Sequence, residues 1–173
     1  MSDPARFPSA DDQPFVPKGP PLTLPGEAAA VSPDTWYRCK ADFLSNNGKT
    51  MIPGYLGPRS DWPSNVAFAD YIVMYEDIDS ACQFQLQEVD EQGWARWLIK
   101  KDGYHLDLKS TGWFYRASYY TTRFAVVDGM LLNDYWGGPA CADFRGGVVP
   151  DGYYVGQDLG EAFRLKNCLL EPV

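Results

Sequence analysis

Histidine is nearly absent from this chain: among 173 residues there is one, His105. That count excludes a histidine metal cluster, and a Cys–His nucleophilic pair would have to join His105 to one of only four cysteines. His105 falls inside an expected strand, where a hydrogen-bonded structural role is the ordinary one. Cys39, Cys82, Cys141 and Cys168 lie 43, 59 and 27 residues apart, too far for a CxxC redox or metal motif. Two disulfides are arithmetically possible, in three connectivities, but with no export signal in view free, mostly buried thiols are expected. No Gly-x-Ser-x-Gly, P-loop or dinucleotide fingerprint occurs. No run approaches the roughly 18 apolar residues that cross a bilayer, so no membrane span is expected. The opening MSDPARFPSADDQPF has no basic-then-apolar signal pattern, which implies a cytoplasmic protein, or one exported without a signal peptide. Basic residues are few as well, 15 against 23 acidic ones; the net charge of −8 disfavours nucleic acid as a partner.

What is present points to short strands. Aromatics make up 15% of the chain, with 11 Tyr, 9 Phe and 6 Trp, beside 16 Gly and 14 Pro. Eight of the 14 prolines fall in residues 1–34, a segment that cannot join a regular helix or central strand and reads as a disordered leader. Residues 35–173 then alternate β-branched and aromatic runs with turn residues. Asn47-Gly48, Asp102-Gly103, Asp128-Gly129 and Asp151-Gly152 supply the positive φ angles of tight hairpins. No window holds a clean helical stripe, and about twelve short strands are expected.

An internal repeat decides among all-β plans. Phe84, Phe124 and Phe163 stand 40 and 39 residues apart, and each is expected to open a strand with apolar residues at i and i+2. Three repeats of about 40 residues, each of four strands, make a β-trefoil; a jelly-roll or other β-sandwich is the alternative. Asn47-Gly48, Asp102-Gly103 and Asp151-Gly152 are expected to be equivalent hairpins. A last strand is placed over Ala162–Lys166.

Three stretches resemble the β-trefoil agglutinins of the amaranthin and fascin-like type: Phe43–Lys49, Cys82–Leu106, and Ala162–Leu165 with Leu169–Val173. The Gln-x-Trp signature of ricin-type trefoils is missing. The resemblance implies carbohydrate binding and a homodimer, and it fixes no binding residue.

Catalysis has little to stand on. Glu76-Asp77-Ile78-Asp79 and Glu88-Val89-Asp90-Glu91 could pair carboxylates for glycoside hydrolysis, and the second run could hold calcium, but solvated turn charge is the plainer reading. The chain is therefore read as no enzyme, with no catalytic residue, metal or cofactor. Sugar recognition needs flat rings for the C–H face of a pyranose and polar groups for its hydroxyls. Asn133, Asp134, Tyr135 and Trp136 combine these in one loop. Trp113, Tyr153 and Trp62 lie in comparable surroundings. The expected function is a lectin-like module binding a glycan or glycoprotein, in a targeting, defence or toxin setting. The alternatives are a trefoil protease inhibitor using the Pro-rich segment Pro53–Pro63, and a fascin-like protein-binding scaffold.

Overall fold

The computed structural model describes residues 22–59, 70–109, 111–117, 122–143, 148–149, 152–157 and 159–173. Regular structure in these residues is all-β apart from short 3-10 turns such as Ile78–Ser80 and Glu161–Phe163. The strands are β1 (Tyr37–Leu44), β2 (Met51–Pro58), β3 (Ile72–Tyr75), β4 (Phe84–Gln87), β5 (Arg96–Ile99), β6 (His105–Leu108), β7 (Phe114–Ala117), β8 (Phe124–Val127), β9 (Met130–Asn133), β10 (Ala140–Ala142), β11 (Val148–Val149), β12 (Gly152–Gln157) and β13 (Lys166–Pro172). No described helix is long and apolar enough to cross a membrane.

Every strand pairing among the described residues is antiparallel, and the sheet curls on itself. One round runs β1–β4 through Tyr37↔Phe84, then β4–β5, then β5–β8 through Ala95↔Phe124, then β8–β9. The round closes where β13 lies beside β9, with Cys168 N donating to Gly129 O at 2.9 Å, and pairs with β1 from Tyr37↔Pro172 to Asp42↔Lys166. A second set of pairings joins hairpins β2–β3, β6–β7 and β10–β12. Tyr71↔Tyr115 links the first two, Trp113↔Gly156 the second and third, and β12 pairs with β3 over Gly152–Tyr154.

Patterning explains the packing. In β1, β4 and β5 buried and half-buried residues alternate, as expected of strands with one face in the core. β3, β6, β7 and β8 are buried throughout because hairpins or neighbouring loops cover their second face. The main core holds Phe43, Phe84, Trp97, Phe114 and Phe124, all fully buried, with ring centroids 5.3 Å apart for Phe84–Trp97 and Phe114–Phe124 and 6.1 Å for Trp97–Phe124.

Three expectations are corrected. Phe163 opens no strand: Glu161–Phe163 is a 3-10 turn, Phe163 is half-buried, and the last strand starts at Lys166. Its backbone is held by the local turn bonds Phe163 N→Gly160 O and Arg164 N→Glu161 O, leaving it out of the ladder. Pro53–Pro58 belongs to β2, packed between β1 and β3, so it is no projecting loop; residues 60–63 lie outside the described residues. Finally, some residues ahead of the boundary expected at 34 contribute to the core. Leu24 is buried with Trp94, Val127 and Leu132, Trp94 Nε1 donates to Leu22 O at 2.8 Å, and Ala29 N donates to Val126 O at 2.8 Å. Gly93, at φ 111°, is required there, since a Cβ would strike Ala28.

Candidate functional site

The loop after β9 is organised by Asn133. Its side chain is fully buried, and Oδ1 accepts from the backbone N–H of Tyr135, Trp136 and Gly137 at 3.1, 2.7 and 3.4 Å. Nδ2 donates to Gly138 O at 3.3 Å, and Gly137 takes the positive φ of 74° that ends the turn. Asp134 is also buried, and its Oδ1 accepts from Arg123 N at 2.9 Å. Burial raises its carboxyl pKa, opposed by that hydrogen bond and by the Arg123 charge. The polar atoms expected to meet a sugar are thus used to hold the loop.

That rigid loop presents Trp136, which is 41% exposed and meets half-buried Tyr135 edge-on at 5.2 Å. Against the indole lies Gly112, at φ 93°: a Cβ there would sit 3.4 Å from Trp136 Cζ3 and 3.5 Å from Gln157 Cγ. Gln157 N donates to Gly112 O at 2.9 Å, while its buried Oε1 accepts no hydrogen bond among the described residues. Sequence reasoning missed Gln157. Its only signal is tertiary, because β12 reaches Gly112 across 45 residues.

Tyr153 and Trp113 make their ring contacts elsewhere. Tyr153 is buried against Phe43, with centroids 5.1 Å apart. Trp113 is half-buried where the three hairpins meet, 6.4 Å from Tyr71 and 6.1 Å from Tyr154. Trp62 lies outside the described residues. The same junction buries charge: Lys109 Nζ lies 3.5 Å from Asp70 Oδ2 and over the rings of Tyr115 and Tyr71, at 4.5 and 5.2 Å.

Nucleophilic chemistry finds no support in the thiols. All four cysteines are buried and form no disulfide. Burial pushes Cys82 and Cys168 up to about 12 and raises Cys39, so these remain protonated, poorly nucleophilic thiols at neutral pH. His105 Nε2 faces Gln87 Oε1 at 3.2 Å. No group of three or more His, Cys, Asp or Glu among the described residues is placed to hold a metal ion. No family model matches the chain, and no curated protein matches it either.

Proposed function

We propose that the chain is a β-trefoil that binds carbohydrate without transforming it, with Trp136 as its stacking platform. The trefoil reading is supported by six strands that pair in a round and three hairpins that pair with one another in turn. It is also supported by three Asx-held turns leading out of β1, β5 and β9. Asn47, Asp102 and Asn133 each accept backbone N–H bonds from the residues that follow, and Gly48, Gly103 and Gly137 adopt φ of 73°, 72° and 74°. On this scheme the third equivalent of Asn47-Gly48 is the Asn133–Gly137 turn; Asp151, of the expected Asp151-Gly152 turn, lies outside the described residues.

One observation carries the ligand class: an exposed indole on a turn fixed by its own hydrogen bonds, near Gln157, whose buried amide oxygen meets no donor among the described residues. Leaving such an acceptor unmet costs about 1–3 kcal/mol, which a ligand hydroxyl would recover once the Gln157 side chain turns toward it. The indole face suits the apolar side of a pyranose. The loop is already ordered, so little entropy is spent on binding.

A glycan array with labelled protein tests this, using Trp136→Ala and Gln157→Ala as paired variants. Specific signal lost at least tenfold in Trp136→Ala and reduced in Gln157→Ala, with unfolding midpoints unchanged, is the expected result. A blank array with folded protein would sink the reading. Asp134→Ala is unsuitable as a binding probe, because it removes an acceptor that holds the loop.

A further inference from the structure

A cavity of about 580 Å3 opens on another part of the surface, lined by Pro58, Arg59, Tyr75, Asp79–Gln83, Lys100 and Lys101. That volume suits a small molecule of sugar size or somewhat larger. It shares no lining residue with the Trp136 loop. Its walls are fixed: Cys82 N donates to Leu56 O at 2.8 Å and Tyr75 Oη to Pro58 O at 2.6 Å, and Lys100 N donates to Gln83 O at 2.9 Å. The 3-10 turn Ile78–Ser80 seats its Ser80 carbonyl directly on Gly57, where any Cβ would collide.

The lining charge runs against that of the molecule. In a chain of net charge −8, three of the lining side chains are cationic and one, Asp79, is acidic. Arg59 is held by donating Nη1 to Tyr154 Oη at 3.0 Å. Lys100 Nζ lies over the Trp36 ring at 5.4 Å and 3.5 Å from Gln83 Oε1. Cys82 contributes no negative charge, since its thiol stays neutral. Ser80 and Gln83 add groups that bond hydroxyls. Behind Cys82, fully buried Arg116 is bridged to Asp102 at 2.9 Å, and the two act on the thiol in opposite directions, so the lining cations set the sign of the field.

We propose that this cavity is a binding site for a small hydroxylated anion, a sugar acid or a sugar phosphate, distinct from the Trp136 platform. The cations select the anionic group and Ser80 and Gln83 take the hydroxyls. Arg59, Lys100 and Lys101 come from two separate segments of chain, so folding is what creates the charge match.

Backbone amide shifts of Ser80, Gln83 and Lys101 are the readout, with glucuronate, glucose 6-phosphate and neutral glucose as probes on the full chain. Saturable shifts with either anion, weakened by added salt and absent with glucose, are expected. Binding of one anion alone identifies carboxylate or phosphate as the recognised group. The double variant Lys100→Gln/Lys101→Gln, at exposed positions, should weaken binding at least tenfold with its unfolding midpoint unchanged. Trp136→Ala should leave it intact, which separates this site from the proposed platform. No saturation by either anion up to about 10 mM, equal binding of glucose, or an unaffected double variant would each overturn the proposal.

Discussion

The interior of the strand round and the junction of the three hairpins are equally well buried, yet they are made of different materials. The interior is aromatic and aliphatic, with Phe84, Trp97 and Phe124 in mutual contact. The junction surrounds a lysine–aspartate pair with tyrosines and Trp113. Apolar packing is undirected and supplies most of the drive to collapse. A buried ion pair adds little net stability, because desolvation offsets its attraction, but it penalises any arrangement that separates the two charges. β3 and β6–β7 must therefore meet in one register, since Asp70 and Lys109 flank those strands. The difference between the regions is one between holding the chain together and holding its hairpins in place.

The largest expected effect breaks the first region. Trp97→Ala should cost about 4 kcal/mol in urea unfolding, because the cavity lies between two rings that cannot both collapse into it. Lys109→Met should come next, at about 3 kcal/mol, since it removes the cation 3.5 Å from a buried carboxylate. The double variant Lys109→Met/Asp70→Asn should recover much of that loss; if it is as unstable as Lys109→Met alone, the charge pair is not what distinguishes the junction. Leu24→Ala should cost about 2 kcal/mol, testing whether the segment ahead of β1 belongs to the packed domain.

The smallest effect is one of pH. Burial, assisted by the Arg96 charge and opposed by Glu88, lowers the His105 pKa. The folded protein then holds that proton less tightly than the unfolded chain. The stability this contributes is complete above about pH 6.5 and is lost as pH falls through the lowered folded value. His105→Gln should flatten the part of the melting-temperature curve just below about pH 6.5; an unchanged slope would show that carboxylates alone set it.

The strand layout was legible because its punctuation is local. Asn47-Gly48, Asp102-Gly103 and Asp128-Gly129 mark hairpins with residues that accept positive φ, and strands flank each of them. Phe84 and Phe124 open strands as their spacing suggests, whereas Phe163 resembles them in sequence and sits in a 3-10 turn instead. The Asn133 loop stands out in sequence as an aromatic–polar cluster, but nothing in the sequence turns its polar side chains inward. Sequence cannot distinguish an asparagine that bonds a ligand from one that bonds the next three amides. The approach of Gln157 and Trp136 to Gly112, and the cavity between Arg59 and Lys101, depend on segments brought together only by folding. Docking of Leu24 was hidden by the prolines around it, which forbid a ladder without forbidding burial.

The pairing of β13 with β1 bears on how a ribosome must make this protein. Tyr37–Leu44 emerges early, yet one of its edges has no ladder partner until Lys166–Pro172 has been synthesised. An unsatisfied strand edge of this kind can recruit a neighbouring nascent chain. Closure across so long a sequence separation is also slow. Chaperone engagement should accordingly persist until the final strand is clear of the exit tunnel, and variants that weaken β13 should fail as aggregates on translation before they register as a lowered melting temperature.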